Sequence, residues 1–108
     1  MLNVYPVARQ ALRRIGEIAN QIEKRDPDLA RQMRRAGCSV LLNMREGTHS
    51  QGRNRNARYW NAAGSADEIH GCLDCAEDLA YLKTVCPELR GELDQVIGTL
   101  MKITRGAR

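Results

Sequence analysis

Apolar residues return at every third or fourth position in four stretches of the chain, with polar residues on the intervening faces. In the first stretch Ala8, Ala11, Leu12, Ile15, Ile18, Ala19 and Ile22 form one stripe, and Arg9, Arg13, Arg14, Glu17 and Glu23 lie mostly off it. This is the 3.6-residue period of an amphipathic helix. Lys24-Arg25-Asp26 then leads into Pro27. An Asp before a Pro reads as an N-cap followed by the first helical position, so a short turn connects two antiparallel helices.

The second stripe runs through Leu29, Met33, Ala36, Gly37, Val40, Leu41 and Met44, and Gly47 is expected to end the helix as a left-handed C′ residue. Residues 48–55 contain no apolar side chain and read as an exposed loop. A third and longest helix is expected from about Asn56 to Lys83, carried by Tyr59, Ala62, Ala63, Ala66, Ile69, Leu73, Ala76, Ala80 and Leu82. Cys86-Pro87 opens a fourth, with Leu89, Leu93, Val96, Ile97, Leu100, Met101 and Ile103 on its stripe before the basic tail Arg105-Gly106-Ala107-Arg108. The pattern predicts an all-α fold, an antiparallel up-down-up-down four-helix bundle formed as one domain over residues 1–108.

Composition narrows this picture without changing it. Hydrophobic residues make up 43% and charged residues 28% of the chain, which excludes disordered and fibrous classes. There is no Phe, one Trp and three Tyr, so the core has to be built from aliphatic side chains, Ala and Cys. No apolar run reaches the length of a membrane span, and the N-terminal residues lack the basic and apolar regions of a secretory signal, so a cytoplasmic protein with no membrane partner is expected.

Cys38, Cys72, Cys75 and Cys86 could form disulfides only in an oxidising compartment, which the absence of a signal disfavours. Cys72 and Cys75 make a C-x-x-C pair near His70, but His70 and Cys72 are two apart on a helical pattern and point to different faces. Small core residues are the favoured reading over a metal or redox site, and no cofactor is expected.

Two local patterns go beyond a generic bundle. The second helix ends in Ser39-Val40-Leu41-Leu42-Asn43-Met44-Arg45-Glu46-Gly47, and the third contains Ala63-Gly64-Ser65-Ala66-Asp67-Glu68. Together they resemble the S-[IV]-x-x-N-[ILM]-x-E-G and A-x-G-S-x-x-E signatures of a bacterial family named for members encoded in intervening sequences of large-subunit ribosomal RNA genes. The resemblance covers nearly the whole chain. It implies a four-helix bundle, commonly a ring-like homopentamer, and a relationship to the accessory protein of diversity-generating retroelements, which binds nucleic acid and a reverse transcriptase. Arg45 stands where the family often has Ala, and Trp60 and Asn61 stand where a basic and an apolar residue are common.

The motif residues Ser39, Asn43, Glu46, Gly47, Gly64, Ser65 and Glu68 admit two readings. In the favoured one Asn43, Glu46 and Gly47 tie the helix end to the following loop, while Gly64-Ser65 let two helices approach closely. Glu46 sits in a last helical turn, where the dipole disfavours a carboxylate, so it requires a partner such as Arg45, Arg53 or a loop amide. In the other reading Asn43, Glu46, Ser65 and Glu68 form a polar cluster for a ligand or for acid–base chemistry. No nucleophile–base pair, metalloprotease motif or phosphate-cradling glycine loop accompanies them, and a non-enzymatic protein is expected.

Charge is laid down in blocks. Residues 24–58 hold nine Lys or Arg against three acids, whereas residues 59–83 hold five acids against Lys83 alone. Separated signs suit a homo-oligomer with basic faces set against acidic ones, or a nucleic-acid partner such as RNA. Arg31, Arg34, Arg35, Arg53, Arg55 and Arg58 are the expected phosphate contacts. Tyr59 and Trp60 could stack bases, or pack into the bundle and a subunit seam. The alternative is an assembly module with a protein partner, its basic face used only between subunits.

Overall fold

A computed structural model describes residues 2–83 and 86–106, and four helices account for most of them. The elements are α1 (Tyr5–Ile22), α2 (Pro27–Thr48), α3 (Gly52–Asp78) and α4 (Pro87–Gly106), with no strand among the described residues. Each begins with a proline in or beside its first turn, where the missing N–H costs no hydrogen bond and the fixed φ favours the helix; α3 is the exception and begins at Gly52. Asp26 caps α2 as its sequence position predicts, its side chain accepting from Leu29 N at 2.9 Å.

Cross-helix pairs fix the directions. From α2 to α3 they run Gln32 to Glu68, Ser39 to Ser65 and Glu46 to Arg58, so one helix descends as the other climbs. Arg34 reaching Asn20 and Gly37 lying on Leu12 reverse α1 against α2 in the same way. His70 to Asp94 and Asp74 to Arg90 do so for α3 and α4, and Arg14 to Glu92 joins α1 to α4. The four helices therefore form a closed square, 44 Å long and about 20 Å across, with the 27-residue α3 as its long edge.

The four stripes meet in one core. Ile15, Ile22, Met33, Met44, Ile69, Leu73, Leu89, Leu93, Val96 and Leu100 are its largest fully buried side chains. Among the described residues no polar or charged residue is buried with them. Truncating one of these aliphatic side chains to Ala would cost about 2–5 kcal/mol through lost burial and the cavity left behind.

The helix ends depart from the sequence expectation in three places. The interval expected to be loop, 48–55, is mostly helix, because α2 continues to Thr48 and α3 starts at Gly52. Most of its side chains face solvent at the end of the bundle, where a helix needs no apolar stripe. Thr48, Ser50 and Arg55 are half-buried, and the Arg55 Nε is buried without a hydrogen-bond partner among the described residues. Gly47 is not a left-handed cap; it lies inside α2 and is buried. The third helix stops at Asp78 rather than Lys83, because Ala80 takes a left-handed φ of 60°. Tyr81 N then donates to Ala76 O at 2.8 Å and Ala80 N to Glu77 O at 3.0 Å, the paired bonds of a Schellman cap.

Candidate nucleic-acid interface

The connection between α2 and α3 is held by a close approach. Gly47 is covered by the ring of the buried Tyr59, and a Cβ added at Gly47 would overlap that ring. One residue earlier on each helix, Arg58 Nη1 lies 3.0 Å from Glu46 Oε2. Glu46 thus meets the unfavourable end of the α2 dipole with a partner from α3, rather than with the Arg45, Arg53 or loop amide anticipated from sequence.

The remaining motif residues divide between a small polar cluster and the surface. Ser39 Oγ and Ser65 Oγ are 2.8 Å apart across the α2–α3 seam, and Asn43 Nδ2 donates to Ser39 O at 2.9 Å and Ser39 Oγ at 3.1 Å. These three half-buried groups satisfy one another, as buried polar groups must. Glu68 is exposed on the far side of Ser65, accepting from Gln32 Nε2 at 3.4 Å, so the carboxylates of Glu46 and Glu68 do not share a site. Gly64 is exposed, with open space where a side chain would stand, and gives no close helix approach within the subunit. It instead forms the floor of a hollow of about 700 Å³ that crosses α3 between Ser39 and Asn43 on one side and Ile97 and Met101 on the other.

The six candidate arginines fall into two groups. Arg31, Arg34 and Arg35 lie in the first half of α2; Arg31 pairs with Asp28, and Arg34 with Glu23 and Asn20. Arg31 and Arg35 line a polar cleft of about 490 Å³ that also holds Asp28 and Glu68. Arg53, Arg55 and Arg58 open α3 at the other end of the bundle. With ~1.5 Å of rise per residue, the thirteen residues of α2 between Arg35 and Thr48 place roughly 20 Å between the groups.

Topology reveals what a count along the chain does not. Antiparallel packing gathers the start of α1, the end of α2, the start of α3 and the end of α4 at one end. Within about two turns of that end stand Arg9, Arg45, Arg53, Arg55, Arg58, Lys102 and Arg105, against the single carboxylate of Glu46 among the described residues. Arg45 also stacks over the Tyr5 ring, its guanidinium carbon 5.8 Å from the ring centroid. The matching two turns of the opposite end carry Glu17, Asp28, Asp74, Glu77, Asp78, Glu88 and Glu92 against Arg31 and Arg90, and the connections there add Glu23 and Asp26 against Lys24, Arg25 and Lys83. The bundle is a charge dipole along its long axis. Arg9, Arg45, Lys102 and Arg105 were not among the phosphate contacts expected from sequence; counting charges by bundle end, rather than along the chain, brings them in.

His70 is engaged by α4: its Nε2 lies 2.9 Å from Asp94 Oδ1 and its Nδ1 3.1 Å from Arg90 Nη1. Arg90 also donates to Asp74 and Glu77, both at 2.8 Å. Cys72 is buried, and burial, assisted by the charges of Glu68 and Cys75, pushes its thiol up to about 11. Cys75 is exposed. His70, Cys72 and Cys75 do not converge, and among the described residues no three His, Cys, Asp or Glu side chains are placed to hold a metal ion. Tyr59 is core, whereas Trp60, one residue on, is 55% exposed. Among the described residues no helix is long and apolar enough to cross a membrane.

Neither a search of curated proteins nor one of solved structures finds a match to the chain. The family model for 23S rRNA-intervening sequence protein does match, over residues 1–102. The motif residues at the α2–α3 seam, the four-helix bundle and that match agree: the chain belongs to the 23S rRNA-intervening sequence protein family.

Proposed function

We propose that the protein is a non-enzymatic, oligomeric scaffold that binds RNA at the basic end of its bundle. The observation that carries the reading is the segregation of seven cationic side chains against one carboxylate at that end. Arg53 and Arg55 have no carboxylate partner among the described residues, and Arg58 shares Glu46. A polyanion would release its condensed counterions on such a surface, which is the dominant source of affinity for nucleic-acid backbones. In a homopentamer the same end would recur around the ring and multiply a weak contact by avidity. Arg31, Arg34 and Arg35 lie among acids and contribute less to this reading.

The test is the salt dependence of RNA binding, with subunit mass read in parallel by light scattering. Replacing Arg53 and Arg55 by Ala should shallow the slope of log affinity against log salt by about 1.4, at ~0.7 per single-strand phosphate contact. Replacing Arg31 and Arg34 should change it little. An unchanged slope in the first variant would overturn the assignment.

The alternative, an assembly module that joins copies of the chain or a protein partner, is favoured by the same dipole. A basic end set on the acidic end of a neighbour is a heterologous contact, which closes into a ring or grows into a filament. Under that reading salt dissociates the oligomer, and RNA competes with assembly rather than binding to the assembled form.

A further inference from the structure

Beside the basic end, α3 and α4 frame a cleft of about 460 Å³ lined by Asn56, Ala57, Trp60, Asn61, Thr104 and Arg105. Among the described residues no carboxylate lines it. We propose that this cleft holds one unpaired base of a bound RNA strand, with the base stacked on Trp60; the proposal rests on the RNA reading above and deepens it.

Four features fit a nucleotide. Trp60 is a large aromatic left 55% exposed on a helix whose other aromatic, Tyr59, is fully used in the core. A base face on an indole is the usual sequence-tolerant contact of single-strand binders. Asn56 and Asn61 flank the ring with amides that can donate to and accept from a base edge. The Oδ1 of Asn56 is buried and has no hydrogen-bond donor among the described residues, an unmet acceptor on a residue that lines the cleft. Arg105 lies in the cleft itself. Arg53 precedes Asn56 by three residues and Trp60 by seven, so it shares their face of α3 about 10 Å from the ring, within reach of an adjoining phosphate.

The volume lies within the range of small-ligand clefts, and the site is open to a strand rather than closed around a free nucleotide. A duplex would not enter, because its bases are stacked on each other. A second copy of this chain would have to bring its acidic end to the same ring, and the dilution measurement below separates that contact from a bound base.

Trp60 is the only tryptophan in the chain, so its fluorescence reports this cleft and the adjoining hollow that the same ring lines. Single-stranded oligouridylate and oligoadenylate, and a duplex of the two, are titrated into the full-length protein at fixed salt. The single strands should quench the emission saturably and the duplex should not. Trp60→Ala should weaken single-strand binding about tenfold while leaving the salt slope unchanged, and Trp60→Phe should recover most of the loss. Arg53→Ala should do the opposite, shallowing the slope while quenching persists. If RNA binds with full strength to Trp60→Ala and leaves the wild-type emission unaltered, the base site is wrong and the phosphate reading survives. If no RNA binds at any salt, both fall. If dilution of the protein alone shifts the emission and RNA does not, the cleft belongs to a subunit contact and the proposal is overturned.

Discussion

The ring of Tyr59 lies directly on the bare backbone of Gly47, and this contact sets how closely α3 can return along α2. An Ala at Gly47 would gain up to about 1 kcal/mol of helix propensity but force a buried ring to move, and overpacking of this kind costs about 1–3 kcal/mol. The clash should win, so Gly47→Ala should be destabilised by roughly 1–2 kcal/mol in urea unfolding. Tyr59→Leu in the same chain should remove most of that difference. Gly64 is the control, because it is helical with open space above it. Gly64→Ala should stabilise by about 0.5–1 kcal/mol.

Ala80 occupies the position in the Schellman cap where glycine is the usual residue, at a φ of 60°. A Cβ there costs on the order of 1–2 kcal/mol. Part of this is offset by Arg25, whose Nη1 donates to Ala80 O at 2.9 Å. Ala80→Gly relieves the strain without touching that carbonyl. It should raise the unfolding free energy by about 1 kcal/mol, and a value at or below wild type would mean that the cap is not formed as described.

These two positions show where the sequence was legible and where it was not. The four stripes, the proline starts and the Asp26 cap are local signals, and apart from Ala80 and Leu82, which lie beyond the end of α3, each is found where its spacing puts it. Helix ends depend on choices that the stripe does not report. The first turns of α3 are polar because they extend to the end of the bundle, so an apolar count reads them as loop. Ala80 ends the same helix without the glycine that would have announced it. Gly47 carried the right signal for the wrong reason: a glycine in a last turn suggests a left-handed cap, and only the position of Tyr59 on another helix shows that small size is what the site requires. The charge dipole is likewise a property of antiparallel packing, invisible until the N-termini of α1 and α3 are placed beside the C-termini of α2 and α4.

Cys72 gives a pH dependence with a definite sign. Burial, with the charges of Glu68 and Cys75, raises its thiol from an ordinary 9.0 to about 11, so the folded state holds this proton more tightly than the unfolded state does. Its contribution is fully present below pH 9 and is lost as pH rises towards 11. Stability should therefore fall over that interval, and Cys72→Ala should flatten the fall. At pH 8 a maleimide should modify the exposed Cys38 and Cys75 in the folded protein and reach Cys72 only on unfolding. Rapid labelling of Cys72 under native conditions would contradict its burial.

Glu46 is the one carboxylate at the basic end among the described residues, and neutralising it separates charge from stability. Glu46→Gln loses an exposed ion pair with Arg58, worth about 0–1 kcal/mol, and removes a negative charge from a helix C-terminus, where it costs about 0.3–1 kcal/mol. The two effects are of similar size and opposite sign, so the unfolding free energy should stay within about 0.5 kcal/mol of wild type. RNA binding has no such cancellation. Arg58 is released to a phosphate and a repulsive charge is removed, so the affinity should rise and the salt slope steepen by about 0.7. Binding measured at three salt concentrations decides it. An affinity and salt slope equal to wild type, in a variant of unchanged stability, would place the nucleic acid away from this end of the bundle.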